Sequence, residues 1–259
     1  MLAMDTPLAS AAIVLCSMLL SVIGLVVVRR QLPAEWFRRH HELAGYYFQT
    51  LGTIYAVLVA FAIYEVWVGF NEAATNLEHE ATEIADLSRL STAMPAEYRS
   101  AMTSAQMEYL NAVVEDEFSA MAQRRDSERT WKAVTRLWDA YGSLPVNELR
   151  LQSYLNESLT HLTRLSDLRR TRLFTSHGTT PWIVWVLLTV SGVLLVGFSY
   201  FVGHENITTH AVMTACLAAV IALSMFLILS LDRPYSGVVK VTPRCFQMEL
   251  NHVASRMPK

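Results

Sequence analysis

Glu65, Glu72, His79 and Asp86 recur every seven residues, with Glu80 and Glu83 beside them. On a helix a seven-residue step returns to nearly the same face. Repeated around a symmetry axis, such a face would form rings of carboxylates, which attract cations and repel anions. A solvated helix face, with Glu72 and Asp86 pointing at water, is the plainer alternative. Glu65 differs from the others because the apolar run that contains it has not yet ended. An ionised carboxylate there is costly unless it meets water or a partner. His79, Glu80 and Glu83 also have the types of a metal site, but only His79 and Glu83 share a face, and two converging ligands make no site. No metal and no cofactor is therefore expected.

Other chemistry is missing from the chain. It has no Gly-x-Ser-x-Gly, no phosphate loop, no His-Glu-x-x-His and no Gly-rich dinucleotide turn, so an enzyme is not expected. Cys16, Cys216 and Cys245 form no Cys-x-x-Cys and suggest neither a disulfide framework nor zinc. The formal net charge of −2 and the absence of a nucleic-acid motif argue against a nucleic-acid partner. The basic cluster Arg124, Arg125, Arg129, Lys132 and Arg136 reads as a solvated face or as a counterweight to the acidic series.

The elements that must position the acidic series are membrane helices. The chain has 259 residues, 53% hydrophobic and 17% charged, and the apolar residues are concentrated. Four runs, at about 8–28, 46–69, 181–203 and 209–231, each approach the ~20 residues that cross ~30 Å of hydrocarbon. The first has no Lys or Arg before it and Arg29–Arg30 directly after it, which marks a retained span rather than a secretory signal. The linker 29–42 carries four Arg, two His and Trp36–Phe37, a composition suited to the headgroup layer. The second span shows small residues at Gly52, Ala56 and Ala60, which let helices approach closely. It runs without Pro or Gly after Gly69 into the acidic helix.

The expected organisation is a transmembrane hairpin (1–70), a helical insert (71–178), a second hairpin (179–232) and a tail (233–259). In the insert, Tyr98, Met102, Ala105, Tyr109 and Val113 keep a three-four rhythm after Pro95. Trp131, Val134, Trp138 and Tyr141 fall on one side of the next segment, before a break at 142–145. Leu151, Leu155, Leu159, Leu162 and Leu165 mark a last helix. These stripes predict an all-α bundle. The fold class is thus an all-α polytopic membrane protein with four transmembrane helices and a helical insert between spans 2 and 3. The sequons at Asn156 and Asn206 read as chance matches.

Four spans put both termini and the insert on one side. Eight Lys or Arg flank the spans on that side against four on the other, so the expected location is the cell inner (plasma) membrane with cytoplasmic termini. The basic linker 29–42 pulls the other way.

Two stretches resemble the bestrophin channels, and the layout of nearly the whole chain does too. Phe61, Trp67, Phe70, Glu72 and Ala73 stand at the spacing with which the second span of bacterial bestrophins leaves the membrane. Asp232-Arg233-Pro234-Tyr235-Ser236-Gly237, followed by Thr242-Pro243, is similar to the turn after the fourth span, with one residue inserted in each half. The nearer likeness is to a bacterial bestrophin-like membrane family of largely undefined function. The resemblance implies a homo-oligomer, a pentamer in bestrophins, that passes inorganic ions through a pore lined by span 2. Carried over, the neck falls on Thr53, Val57 and Phe61, where Thr53 replaces a large apolar residue. A ring of Phe61 side chains would gate by dewetting. The resemblance also sets Asp232 beside the calcium clasp of animal bestrophins, but the dense acidic run is missing, so a cap or ion pair at the turn is expected. Partners are then membrane lipid, ions and further copies. The alternative is a non-conducting scaffold whose helical bundle binds a protein partner.

Overall fold

The computed structural model describes residues 7–31, 33–144, 149–202 and 206–255. Side chains of residues 34–41 are outside the description, so the headgroup reading of Trp36 and Phe37 is too, as is the break at Pro145. Nine α-helices follow one another among the described residues: α1 (Pro7–Gln31), α2 (Ala34–Thr92), α3 (Ala96–Ala112), α4 (Phe118–Ala122), α5 (Glu128–Gly142), α6 (Leu149–Thr175), α7 (Trp182–Ser199), α8 (Ile207–Leu231) and α9 (Arg244–Ser255). A π-turn, Val113–Glu117, joins α3 to α4. Within these residues no strand occurs. Four stretches, 8–31, 42–92, 182–199 and 207–231, are long and apolar enough to cross a membrane.

The chain divides into two compact units. One comprises residues 1–69 and 179–232, the other 70–178 and 233–259. Helix α2 contributes its first part to one unit and its second part to the other.

In the first unit α1 packs along α8, and α7 packs on α8. Gly24 is required by close approach. A Cβ built there would lie 2.6 Å from Tyr200 Oη, well inside contact distance. At the start of α8, Asn206 caps the helix by accepting from the Thr208 amide at 2.9 Å. Four residues on, His210 is buried and joins three helix ends. Arg29 Nη2 donates to His210 Nδ1 at 3.0 Å, and His210 Nε2 lies 2.9 Å from the Ser199 carbonyl. An arginine only donates, so Nδ1 accepts and Nε2 carries the proton given to Ser199. At the other end of α8, Asp232 Oδ1 accepts from the Thr180 amide (2.9 Å), the Thr179 amide (3.2 Å) and Thr180 Oγ1 (2.6 Å). These bonds hold the loop that leads into α7.

The second unit is a helical bundle around Leu77, Ile84, Leu87, Met102, Tyr109, Leu110, Leu137, Tyr141, Leu162, Leu165 and Phe246. The rhythm predicted for α3 holds, with Met102, Ala105, Tyr109 and Val113 buried and Tyr98 half-buried. In α5 the face differs from the one read in the sequence. Thr130, Ala133, Leu137 and Tyr141 are buried, while Trp131 is 52% exposed. Val134 and Trp138 pack half-buried against the same core, so the buried face is rotated from the one read rather than opposite to it. After α8 the chain turns at Gly237, whose φ of 88° lies in the left-handed region that glycine occupies without strain. Pro234 is buried there, and its carbonyl accepts from the Val241 amide at 2.7 Å. Tyr235 Oη donates to the Ala73 carbonyl at 3.2 Å.

Helix α4 ends in a Schellman motif. The Arg125 amide donates to the Ala120 carbonyl and the Arg124 amide to the Met121 carbonyl, both at 2.9 Å. The residue in the left-handed position is Arg124, with φ 57°, where glycine is usual. Arg124→Gly is expected to raise stability by up to about 1 kcal/mol, since relief of the left-handed strain outweighs the added freedom of the unfolded chain. A thermal melt of purified wild type and variant checks the sign.

Candidate functional site

Helix α2 has two dissimilar sides. Tyr55, Val59 and Val66 are buried. At 3.6 residues per turn they fall within about 40° of one another, and the centre of Thr53, Val57 and Phe61 lies about 180° away. That opposite side is apolar yet open in the single chain: Val57 is 51% and Phe61 70% exposed. Thr53 is exposed too, with its hydroxyl donating to the Gln49 carbonyl at 3.0 Å. Of the small residues, Gly52 is half-buried, 3.9 Å from Leu195 Cδ1 measured from a Cβ built on it, whereas Ala56 and Ala60 are exposed. Packing within the chain therefore uses Tyr55 and Val59, and the small residues border the open side.

The acidic series continues along α2. Glu65, Glu72 and His79 are exposed, and Asp86 is half-buried in a salt bridge with Arg89. The seven-residue step drifts by about 20° per repeat, so the four stay on one broad face. Glu80 and Glu83 belong elsewhere. Glu83 Oε2 meets His161 Nδ1 of α6 at 2.6 Å, and Glu80 is wholly buried. His79, Glu80 and Glu83 thus point to three different surroundings and do not share one ion. Among the described residues no group of three or more His, Cys, Asp or Glu is placed to hold a metal.

Glu80 heads a buried ion network that the sequence reading missed. Arg172 Nε donates to Glu80 Oε2 at 2.7 Å, and Arg172 Nη2 to Glu80 Oε1 at 2.9 Å and Glu117 Oε2 at 2.6 Å. Arg169 Nε donates to Glu117 Oε1 at 3.0 Å. Tyr109 Oη donates to Glu80 Oε1 at 2.6 Å, and Arg172 Nη1 reaches Met121 Sδ at 3.4 Å. Glu80, Glu117 and Arg172 have no exposed surface and Arg169 has 4%. Two arginines and two glutamates balance in charge. The guanidiniums also lie over rings, Arg169 at 4.7 Å from the centre of Trp131 and Arg172 at 5.6 Å from that of Phe118. Burial alone would lower the pKa of Arg172, but Glu80 and Glu117 reverse this and hold it well above its ordinary value. Burial, and then the charge of Glu80, push the Tyr109 hydroxyl well above the usual tyrosine range. Glu117 comes from the π-turn, in which the Phe118 amide reaches back to the Val113 carbonyl.

The signal for this network was present in the spacing. Glu80 interrupts the stripe Ala73, Leu77, Ile84, Leu87. Arg169 and Arg172 extend the stripe Leu155, Leu162, Leu165. Glu117 sits between Val113 and Met121. Charges set into apolar stripes on three helices, two of each sign, are the mark of a buried pairing.

These features define a class, an all-α membrane protein of four apolar helices with a helical bundle built on the extension of the second. The chain matches the bestrophin-like domain family over residues 15–246. It belongs to that family. No curated protein sequence matches it. Solved structures do. A point variant of a bacterial bestrophin homolog from Klebsiella pneumoniae superposes with a TM-score of 0.71 at 12% identity, over 93% of this chain and 98% of that one. A second structure of the Klebsiella pneumoniae homolog gives 0.69 at 14% identity, over 94% and 99%. A third, another point variant, gives 0.69 at 13%, over 93% and 97%. At such identities the likeness is one of fold, and the fold is the bestrophin fold.

Arg172→Met leaves buried Glu80 without a cation and Glu117 with Arg169 alone, and is expected to cost about 3–5 kcal/mol. Replacing all four charges together (Glu80→Leu, Glu117→Leu, Arg169→Met, Arg172→Met) is expected to recover most of that loss, because no charge is left unpaired. Unfolding midpoints of the two purified variants test this. Equal destabilisation by both would mean that packing, not charge pairing, governs the site.

Proposed function

We propose that this chain is the subunit of a homo-oligomeric ion channel, with α2 lining a pore on the oligomer axis. The family and the fold point to a channel-type membrane protein. The observation that carries the finer reading is the open apolar side of α2. Thr53, Val57 and Phe61 face away from the chain's own packing, and the exposed Glu65 and Glu72 continue along the helix beyond them. In a ring of copies, Phe61 and Val57 form a hydrophobic neck that gates by dewetting, and Thr53 leaves its first level wider and more polar. Glu65, Glu72, His79 and Asp86 form the charged vestibule and favour cations. Gly52, Ala56 and Ala60 allow neighbouring α2 helices to approach closely. A pentamer is the ring that the family resemblance favours.

The proposed location is the inner membrane with both termini and the bundle on the cytoplasmic side. Of the eight basic residues on that side, Arg169 and Arg172 are held in buried ion pairs. The remaining six still exceed the four in the linker between spans 1 and 2.

Purified protein reconstituted in planar bilayers tests the reading. Wild type is expected to pass a cation-selective current. Phe61→Ala is expected to increase the open conductance, and Glu65→Gln to move the reversal potential toward that of the anion. A monomer or dimer in solution excludes an axial pore. A ring that passes no current with either variant favours the scaffold whose bundle binds a protein partner.

A further inference from the structure

The first unit contains a half-open cavity of about 560 Å³ between α1, α7 and α8. Helix α8 forms its floor, since both α1 and α7 pack on it. Tyr200, leaning over Gly24, narrows one end. The wall is almost wholly apolar. The two serines that line it do not offer their hydroxyls to a ligand, because Ser17 Oγ donates to the Ile13 carbonyl at 2.9 Å and Ser21 Oγ to the Met18 carbonyl at 2.7 Å. The lining runs from Ile13 to Ser21 on α1, from Trp185 to Tyr200 along and just past α7, and from Ala218 to Leu229 on α8, so the slot follows much of the length of its apolar helices. In a membrane protein the medium around such helices is hydrocarbon.

We propose that the cavity is a binding site for one acyl chain of a membrane phospholipid. Its volume lies within the ~300–1,000 Å³ of small-molecule sites. Two turns of a helix ~10 Å across would occupy about 850 Å³, so the space is too small for a neighbour's helix. No charged side chain lines the cavity, so a headgroup would find no ionic partner in it. Hydrocarbon outside, a slot rather than a broad face, an almost wholly apolar wall and serine hydroxyls already satisfied leave an acyl chain as the occupant whose chemistry matches. The site requires only that the chain spans a membrane, so it stands whether or not the protein conducts ions.

Photolabelling tests it. The full-length protein is reconstituted in phosphatidylethanolamine–phosphatidylglycerol vesicles holding a trace of phosphatidylcholine with a diazirine in its acyl chain. After irradiation, labelled residues are mapped by mass spectrometry. The expected result is label concentrated on lining residues such as Ser17, Gly192 and Ala222, above the level at the lipid-exposed Leu19 and Val190. Gly197 lines the cavity, and a Cβ on it meets nothing within 4 Å, so Gly197→Trp can fill the space from within. That variant is expected to lower cavity labelling to the level at Leu19 while leaving Leu19 unchanged. Ser17→Leu, which fills the cavity from α1, gives the same readout if the first variant fails to fold. Uniform labelling over cavity and outer faces, or cavity labelling that survives both variants, overturns the proposal. So does a disulfide between Val193→Cys residues of two copies, which would make a second chain the occupant.

Discussion

Arg172 has no surface in contact with water, and a guanidinium so placed persists only if every one of its charges and donors is answered nearby. Glu80 of α2 and Glu117 of the π-turn answer it, Tyr109 of α3 and Arg169 of α6 answer the carboxylates, and the account closes electrically. Such a pairing contributes little net stability, because desolvation of four ions offsets their attraction. It contributes definition. Leucine stripes slide past one another at small cost, whereas a bidentate arginine between two glutamates accepts one register only. The extension of α2, the π-turn and α6 are thereby locked in a single arrangement.

Helix α2 shows how one stretch serves several surroundings. Its first part is largely apolar, and among the described residues there Tyr55, Val59 and Val66 are the buried ones. Further on, one face gives Leu77, Glu80, Ile84 and Leu87 to a core while another keeps Glu72 and His79 in contact with water. The absence of Pro and Gly between Gly69 and Thr92 makes this continuity possible, since nothing along that length removes an amide or loosens the backbone. On the same helix an open apolar side precedes an exposed acidic one.

The membrane unit obeys a different rule. Polar atoms there cannot turn to water, and several are answered within the chain. His210 joins the ends of α1, α7 and α8, Asp232 ties the loop before α7, and Ser17 and Ser21 return their hydroxyls to their own helix. What remains between α1 and α7 is chemically hydrocarbon, and hydrocarbon is what the surroundings supply.

Much of this was legible in the residues alone. The four apolar runs, the long continuation of the second and the leucine stripe of α6 follow from local pattern, because span length and helical period are written along the chain, while the turn around Asp232 and Gly237 came from the family resemblance. The outward side of Val57 and Phe61 followed only in part. Spacing places them on one face, but which face the chain covers depends on where α7 and α8 come to lie. Of the stripe read for α5, Val134, Trp138 and Tyr141 meet the core and Trp131 does not, because the buried line of that helix is centred on Ala133 and Leu137. The spacing marked the charges of the ion network as set into apolar stripes, but not which of them meet. The network's bonds join residues up to 92 positions apart, and one-dimensional periodicity records which side of a helix a residue occupies but not which distant helix meets it. The sequence by itself determined the helices, the spans and the faces. Only the tertiary structure decided which glutamates are buried and paired and which remain exposed, because that choice rests on partners brought together by folding.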